Sequence, residues 1–269
     1  MKIIRSKKKL TNILSGVKNL GFVPTMGAIH KGHIYLVKKS MSKCNKTIVS
    51  IFVNKPQFNR KNDFKKYPRN LKKDISILKR LKVDFLFIPN MRQVYPDGQN
   101  KKIKITAFSK KLCGKSRPGH FVAVIDVIDR FLKLIKPSKM FLGNKDMQQL
   151  KIIENHILKN KISTKIIPCK TIRKNNGVPY SSRNFLLKNK EMNIASQVYK
   201  KIFMQKKKLI DGKISIRRIK NEILSSGVNK IDYIEILNVN KLIPPYYKKN
   251  IYKIFIAYYL KKVRLIDNI

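Results

Sequence analysis

The chain has no tryptophan, three cysteines, four histidines and only 14 acidic residues, against 62 lysines and arginines. Cys44, Cys113 and Cys169 are odd in number, far apart and never in a C-x-x-C pair. Neither a disulfide framework nor a zinc site is expected, and a reducing cytoplasm fits. No apolar run approaches the length of a bilayer span, and no apolar h-region follows the first basic residues. A membrane segment and a signal peptide are therefore not expected. The shortage of acid leaves a formal charge of +48. Such a charge suits a nucleic-acid binder, because basic surfaces neutralise phosphate backbones. The lysines argue otherwise: they run along the whole chain in groups such as Lys7-Lys8-Lys9 and Lys206-Lys207-Lys208, with no stripe or tail. Asn and Ile are abundant too, which phosphate binding does not require. Compositional drift with incidental polyanion affinity accounts for all of this, since net charge governs non-specific binding rather than fold. No specific nucleic-acid partner is expected.

What is present is a chain of 269 residues, 43% of them hydrophobic, enough for one large domain or two modest ones. Strand-like runs at 21–24, 47–53, 84–88, 139–142 and 165–168 alternate with helical patterns at 33–42, 70–81, 120–135 and 147–160. The runs are short and β-branched or aromatic, as strands buried on both faces are. Val124, Val127, Ile128, Phe131 and Ile135 recur at helical spacing, and Pro137 ends that pattern. The alternation predicts a doubly wound α/β fold, a Rossmann-like domain with a parallel sheet. Beyond about residue 180 helices are expected at 188–208 and 215–224, then strands at 231–239, 251–260 and 263–266. Pro244-Pro245 marks the connection between the first two of these strands. This reads as a smaller α+β C-terminal domain, giving units of 1–171 and 172–269.

Four stretches carry chemistry. Leu20-Gly21-Phe22-Val23 leads into Pro24-Thr25-Met26-Gly27-Ala28-Ile29-His30-Lys31-Gly32-His33, and a helical pattern follows. A strand-to-helix junction presents free backbone N–H groups and the positive end of a helix dipole, a natural place for phosphate. The spacing His-x-Gly-His is that of nucleotidyl transferases, which do adenylate chemistry on ATP. In the second stretch, Ser50 to Phe58, a buried strand runs into Asn54 and Gln57, which are either ordinary loop residues or, since amides both donate and accept, hold a small polar substrate. Asp74 follows in the next helix; it could help with magnesium or be an ordinary solvated helix residue. The third holds Gly114 to Phe121, then Gly143-Asn144-Lys145-Asp146-Met147-Gln148-Gln149; a lysine at a strand's carboxyl end can neutralise a phosphate. The fourth is Tyr180-Ser181-Ser182-Arg183-Asn184. Hydroxyls and a guanidinium suit a pyrophosphate, although Ser182 or Asn184 could equally cap the helix that follows.

Together these stretches resemble the pantoate–β-alanine ligase (pantothenate synthetase) family, from Val23 to Asn184 and again over Val263–Asn268. The motifs P-T-M-G-x-x-H-x-G-H, S-I-F-V-N-x-x-Q-F, Y-P-R, Y-P-D-G, R-P-G-H-F, G-x-K-D-x-Q-Q and S-S-R-N carry the resemblance. It implies ATP-dependent condensation of pantoate with β-alanine through a pantoyl adenylate, magnesium with the ATP, a homodimer, and a C-terminal domain that closes over the site. It implies that His30 and His33 contact the ATP phosphates, His33 matching the position assigned as proton donor, with Lys145 as a third catalytic group. Met26, Gly27, Ala28, Ile29, His30, Lys31, Gly32 and His33 would line the ATP site. Gly143, Asn144, Lys145 and Asp146 match the stretch that holds adenosine and phosphate, and Ile172 a backbone contact to adenine. Tyr180, Ser181, Ser182 and Arg183 match the phosphate-binding stretch. Gln57 and Gln149 match the glutamines that hold pantoate, Gln57 also meeting β-alanine. The chain departs from the family pattern in several places. Pro56 is displaced by one position, Asn144 and Cys113 stand where glutamate is common, and Val122-Ala123 replaces Arg-Gly. Asn176 replaces Asp, and Tyr180 replaces a smaller apolar residue. None of these touches His30, His33, Gln57, Lys145, Gln149 or Arg183, so an active enzyme is expected. Two other readings stay open: a nucleic-acid binder built on a decayed enzyme, and a different adenylate-forming ligase.

Overall fold

The computed structural model describes residues 1–244 and 246–269; Pro245, half of the Pro244-Pro245 mark, lies outside the described residues. The chain opens with β1 (Lys2–Ile4), α1 (Lys7–Leu14), β2 (Leu20–Thr25), α2 (Lys31–Met41) and β3 (Lys46–Ile51). It continues through α3 (Lys61–Lys66), α4 (Leu71–Arg80), β4 (Phe85–Phe87), α5 (Met91–Val94), α6 (Cys113–Ser116) and α7 (His120–Ile135). Then come β5 (Lys139–Gly143), α8 (Met147–Lys159) and β6 (Lys165–Cys169). The six strands form one sheet in the order β1-β4-β3-β2-β5-β6, every pairing parallel.

A strand sends successive side chains to opposite faces, and here both faces are covered. Phe22, Ile48 and Phe87 point into a core shared with α1, α7 and α8. Their neighbours Val23, Val49 and Leu86 point into a second core with Val37 of α2 and Leu78 of α4. This is why the strands read as continuous apolar runs. Phe131 of α7 meets Phe22, Phe52 and Phe87 edge-on, with ring centroids 5.8, 5.9 and 6.2 Å away. Strand order reverses at β2, with β3 and β4 to one side and β5 and β6 to the other, so a crevice is expected at the carboxyl ends of β2 and β5.

The rest of the chain forms α9 (Asn189–Ile210), α10 (Ile216–Ser225), β7 (Lys230–Asn238), β8 (Tyr252–Leu260) and β9 (Val263–Asn268). The three strands make an antiparallel sheet in the order β7-β8-β9. Val198, Ile202, Ile219, Ile223, Ile254 and Ile256 build its core. Val239, Ile243 and Phe255 instead join the core of the large sheet. Among the described residues no helix is long and apolar enough to cross a membrane.

The five expected strands of the large sheet are present, and α7 spans the residues read for it. Strand β1 and helix α1 were not legible: β1 has three residues, and α1 buries Leu10 alone beneath a run of lysines. Replacing Phe131 with Ala should destabilise the protein by about 3–5 kcal/mol, the range for removing a buried aromatic ring, read as a lower urea midpoint at unchanged m-value. A loss below about 1 kcal/mol would mean that the surrounding rings close the gap.

Candidate active site

The cleft begins where two strands part. β2 pairs with β5 only through Gly21 and Phe22. Pro24 lies beyond that pairing and has no N–H to extend it. Thr25 then starts the loop: its hydroxyl donates to the Ser50 carbonyl (2.7 Å) and accepts from Gly27 N (3.1 Å). Gly27 and Ala28 both adopt left-handed backbone, φ +76° and +51°. A Cβ on Gly27 would also lie 2.9 Å from Asp74 Oδ2, so conformation and space both select glycine there. Ala28 carries the left-handed strain with its Cβ in place, on the order of 1–2 kcal/mol. What holds it is Asp74 of α4, which accepts from Ala28 N through Oδ2 (2.8 Å) and from Ile29 N through Oδ1 (2.7 Å).

Asp74 is thus no solvated helix residue: it is 3% exposed and both oxygens are committed to the loop. Burial pushes its pKa up, and the two N–H donors pull it part of the way back. Two of the backbone N–H groups expected to serve phosphate are therefore already taken.

His30 is the N-cap of α2, and its Nδ1 accepts from Gly32 N (3.1 Å). The neutral ring then carries its proton on Nε2. His33 stacks on it with ring centroids 3.9 Å apart, and Tyr180 lies nearly parallel to it at 6.3 Å. Burial, His33 and Lys145 push the His30 pKa down to about 2. Burial, opposed by Asp146 and helped by Lys145, pushes His33 down to about 4. Both are neutral at pH 7, and His33 Nδ1 is buried with no partner among the described residues. A buried polar atom left unpaired costs about 1–3 kcal/mol, which a ligand in the cleft would recover.

The opposite wall is built around Gln57. Its Oε1 accepts from Asn54 Nδ2 (3.0 Å), and its Nε2 reaches Met26 Sδ (3.3 Å). Asn54 is itself fixed by Tyr95 Oη, which donates to its Oδ1 (2.7 Å), and by the Ala123 carbonyl (3.3 Å). The Gln57 carbonyl accepts from Arg117 Nη2 (3.0 Å) and His120 Nδ1 (2.9 Å), while Arg117 Nη1 donates to His120 Nε2 (2.8 Å). Burial and Arg117 hold His120 well below the usual histidine value. Burial and the neighbouring Arg183 push Arg117 down to about 10.

Lys145 stands at the end of β5, its Nζ 3.2 Å from Asp146 Oδ1. Across from it Ser182 Oγ donates to the carbonyls of Ala28 (3.3 Å) and Gly27 (3.5 Å). Arg183 is ion-paired with Asp63 of α3 at 2.6 Å. The cap in this stretch is Ser181, in a reciprocal pair with Asn184 around a 3-10 turn. Neither Ser182 nor Asn184 caps α9, whose first turn is served by Glu191. Gln148 is spent on structure, accepting from Cys113 N and donating to the Phe108 and Lys111 carbonyls. The neighbouring Gln149 faces the cleft.

A cleft of about 290 Å3 brings together Met26, His30, Gly32, His33, Gln57, Gly143, Lys145, Asp146, Gln149, Ile172 and Tyr180 to Arg183. Gly27, Ala28, Ile29, Lys31 and Asn144 do not line it. Within the loop Ala28 and Ile29 are buried, and the Lys31 ammonium lies 5.8 Å from the Tyr180 ring centroid. Sequence reasoning missed Arg117 and His120, although the R-P-G-H-F motif pointed at them. It also left Cys113 without a role. That thiol lies 3.1 Å from Tyr233 Oη and 3.6 Å from Arg264 Nη1, and Arg264 takes its countercharge from Asp232 (2.7 Å). Among the described residues no group of three or more His, Cys, Asp or Glu side chains could hold a metal ion.

A family model described as pantoate-beta-alanine ligase matches residues 2–269. The chain is 37% identical over 270 residues to pantothenate synthetase of Thermosipho africanus, covering 99% of this chain and 97% of that protein. It is 41% identical over 266 residues to that of Francisella tularensis subsp. novicida, covering 98% and 94%. Among solved structures it resembles pantoate-beta-alanine ligase from Francisella tularensis complexed with beta-gamma ATP and beta-alanine, with TM-score 0.86, 40% identity and coverage of 100% and 97%. The pantothenate synthetase of Thermus thermophilus gives TM-score 0.89 at 28% identity, with coverage of 100% and 99%.

Asp74→Asn keeps the shape of the acid but offers one acceptor where two donors point. It should cost about 1–3 kcal/mol, the scale of an unmet buried donor, and should speed amide exchange at Ala28 and Ile29; unchanged exchange there would free the loop from Asp74. A second expectation concerns low pH. His30, His33 and His120 ionise below a free histidine, so the unfolded chain takes up protons first. Their contribution is complete above about pH 6.5 and falls as the pH drops towards the folded-state values. Melting temperature should fall between about pH 6.5 and 4, and His33→Gln should flatten that slope; an equal slope in the variant would contradict the assignment.

Proposed function

The chain belongs to the pantoate-beta-alanine ligase family, and from that membership we propose how its cleft joins pantoate to β-alanine. The protein is a ligase that forms a C–N bond with ATP as the energy source, yielding pantothenate, AMP and pyrophosphate. The observation that carries the site assignment is one cleft holding two stacked neutral histidines and Lys145 on one side and the amides of Gln57 and Gln149 on the other. The first group suits a nucleotide's phosphates, the second a small hydroxy acid.

A pantoate carboxylate oxygen attacks the α-phosphorus, and the bond to pyrophosphate breaks. The neutral amine of β-alanine then attacks the carbonyl carbon of the pantoyl adenylate; the bond to AMP breaks and the amine gives up one proton. Neither step needs covalent help from the protein, so positioning and positive charge do the catalysis. His30 and His33 donate to phosphate oxygens, and Lys145 neutralises charge as pyrophosphate departs. The segment Tyr180, Ser181, Ser182 and Arg183 receives the outer phosphates, with Arg183 turning from Asp63. Gln57 and Gln149 orient pantoate, and Gln57 meets β-alanine. Magnesium enters as part of the MgATP substrate. Residues 172–269 form a lid over the 1–171 nucleotide and pantoate domain, and the working protein is a cytoplasmic homodimer.

Purified protein with MgATP, pantoate and β-alanine should release pantothenate, and should release pyrophosphate only when pantoate is present. Failure of both would overturn the assignment. His33→Ala should lower turnover on the order of 100-fold or more, the scale of one lost transition-state donor. A change within about threefold would remove His33 from the mechanism.

A further inference from the structure

The end of β9 reaches into the nucleotide side of the cleft. Asn268 is 2% exposed, and its side-chain amide nitrogen donates to the Asn144 carbonyl (2.8 Å) and the Lys145 carbonyl (2.8 Å). Both of its N–H bonds are thus spent on the turn that carries Lys145. The neighbouring Asp267 receives Arg173 in a two-pronged pair, Nη1 to Oδ2 at 2.7 Å and Nη2 to Oδ1 at 2.9 Å. Asp267 Oδ1 also accepts from Asn268 N (2.8 Å). Arg173 in turn donates to the Gly177 carbonyl (3.0 Å), and so ties down the segment between Ile172 and Tyr180. The backbone of Ile269 closes the edge, exchanging two hydrogen bonds with Ile254 at 3.0 Å each.

Two adjacent residues of the small sheet therefore hold two segments of the nucleotide side, the 144–146 turn after β5 and the 173–177 segment after β6. We propose that Asn268 is a positioning residue for Lys145: it fixes the 144–146 turn so that the Lys145 ammonium stands over the phosphates, and Asp267 with Arg173 sets the facing segment in register. This rests on the assignment of Lys145 to the nucleotide. The two carbonyls belong to a 3-10 turn of three residues, Asn144–Asp146, and Asn268 reaches both of them from the small sheet. A planar amide held at its backbone and bonded to two successive carbonyls fixes both position and tilt. The Asn268 Oδ1 is buried without a partner among the described residues, so the side chain is kept for its donors.

The test is a double-mutant cycle on the full chain. Asn268→Ala should lower kcat/KM for ATP by about 10–100-fold, the cost of a displacement near 1 Å at a reacting group. The KM for ATP should rise while that for β-alanine stays within about twofold. In the Lys145→Ala background the same change should cost less than about threefold, because residues acting through one another are not additive. Equal multiplication in both backgrounds would overturn the proposal. So would a fall in kcat with unchanged KM values that tracks only the folded fraction. If the alanine variant does not fold, Asn268→Ser, which can reach one carbonyl, should give an intermediate loss with the same KM split, and wild-type constants there would overturn it equally. Should the wild-type protein make no pantothenate, the reaction assignment falls, and MgATP affinity by titration calorimetry still decides the clamp. Asn268→Ala must weaken MgATP by about tenfold or more, the low end of the expected misplacement effect, and an unchanged affinity would overturn the proposal.

Discussion

The carboxylate of Asp74 is the interaction on which the cleft depends. The chain must turn sharply after β2, and it does so through two successive left-handed residues, one of them an alanine. That conformation is not self-supporting in an L-residue. Two backbone N–H groups donating to a buried acid on α4 hold it, and only then does His30 arrive as the N-cap of α2 with His33 one turn further on. No cation forms an ion pair with this carboxylate among the described residues, so backbone dipoles meet its charge. The loop therefore cannot bind phosphate through the N–H groups of Ala28 and Ile29. In the proposed function anion recognition falls instead to the imidazoles, Lys145 and the Ser181–Arg183 segment.

The scarcity of acid takes on meaning in the same light. Of 14 acidic residues, most are engaged at joins in the structure. Asp232 meets Arg264 beside Cys113, Asp267 meets Arg173, Asp63 meets Arg183, and Asp126 meets Arg130 behind Asn54 and Tyr95. Each of these partners is an arginine, whose planar fork fixes direction as well as charge. The surplus lysines lie elsewhere, mostly in water, where their mutual repulsion is screened. A chain can drift far towards lysine while its few carboxylates remain where geometry depends on them. Cys113 fits this pattern: its thiol touches Arg264, yet the charge of that arginine is met by Asp232, so no acid is needed at position 113.

Much of this was legible in the sequence, for a definite reason. Strands β2 to β5 are buried on both faces and read as largely apolar runs, the edge strand β6 burying only Cys169, and α7 shows its buried face at helical spacing. His30, His33 and Lys145 were legible because they stand just beyond strand ends, where a doubly wound sheet places its ligands, whereas Gln57 and Gln149 were legible only through the family resemblance. Asp74, His120, Arg117 and Asn268 were not. All four act on backbone atoms far away in sequence, and a backbone partner leaves no letter to read. Adjacent residues posed a second obstacle. Gln148 and Gln149 differ only by a turn of about 100° along α8, so one braces Cys113 and the other faces the cleft. Likewise Ser181 caps its own turn while Ser182 crosses to the Gly27–Ala28 loop.

The two histidines show how these constraints combine. They are buried side by side, close to Lys145, and every one of those conditions except Asp146 disfavours the imidazolium. The site is thus electropositive without spending protons on its own rings, and both rings stay neutral. In the proposed function a triphosphate would bring several negative charges to the same place. Burial would still oppose protonation, but the neighbouring charge that suppressed it would now be outweighed by charge that favours it. Substrate and proton are then linked: whatever raises the affinity of these imidazoles for a proton is, by reciprocity, helped by that proton. Under the proposed function a nucleotide and a proton on these rings would favour each other, while the burial of both rings opposes their charging.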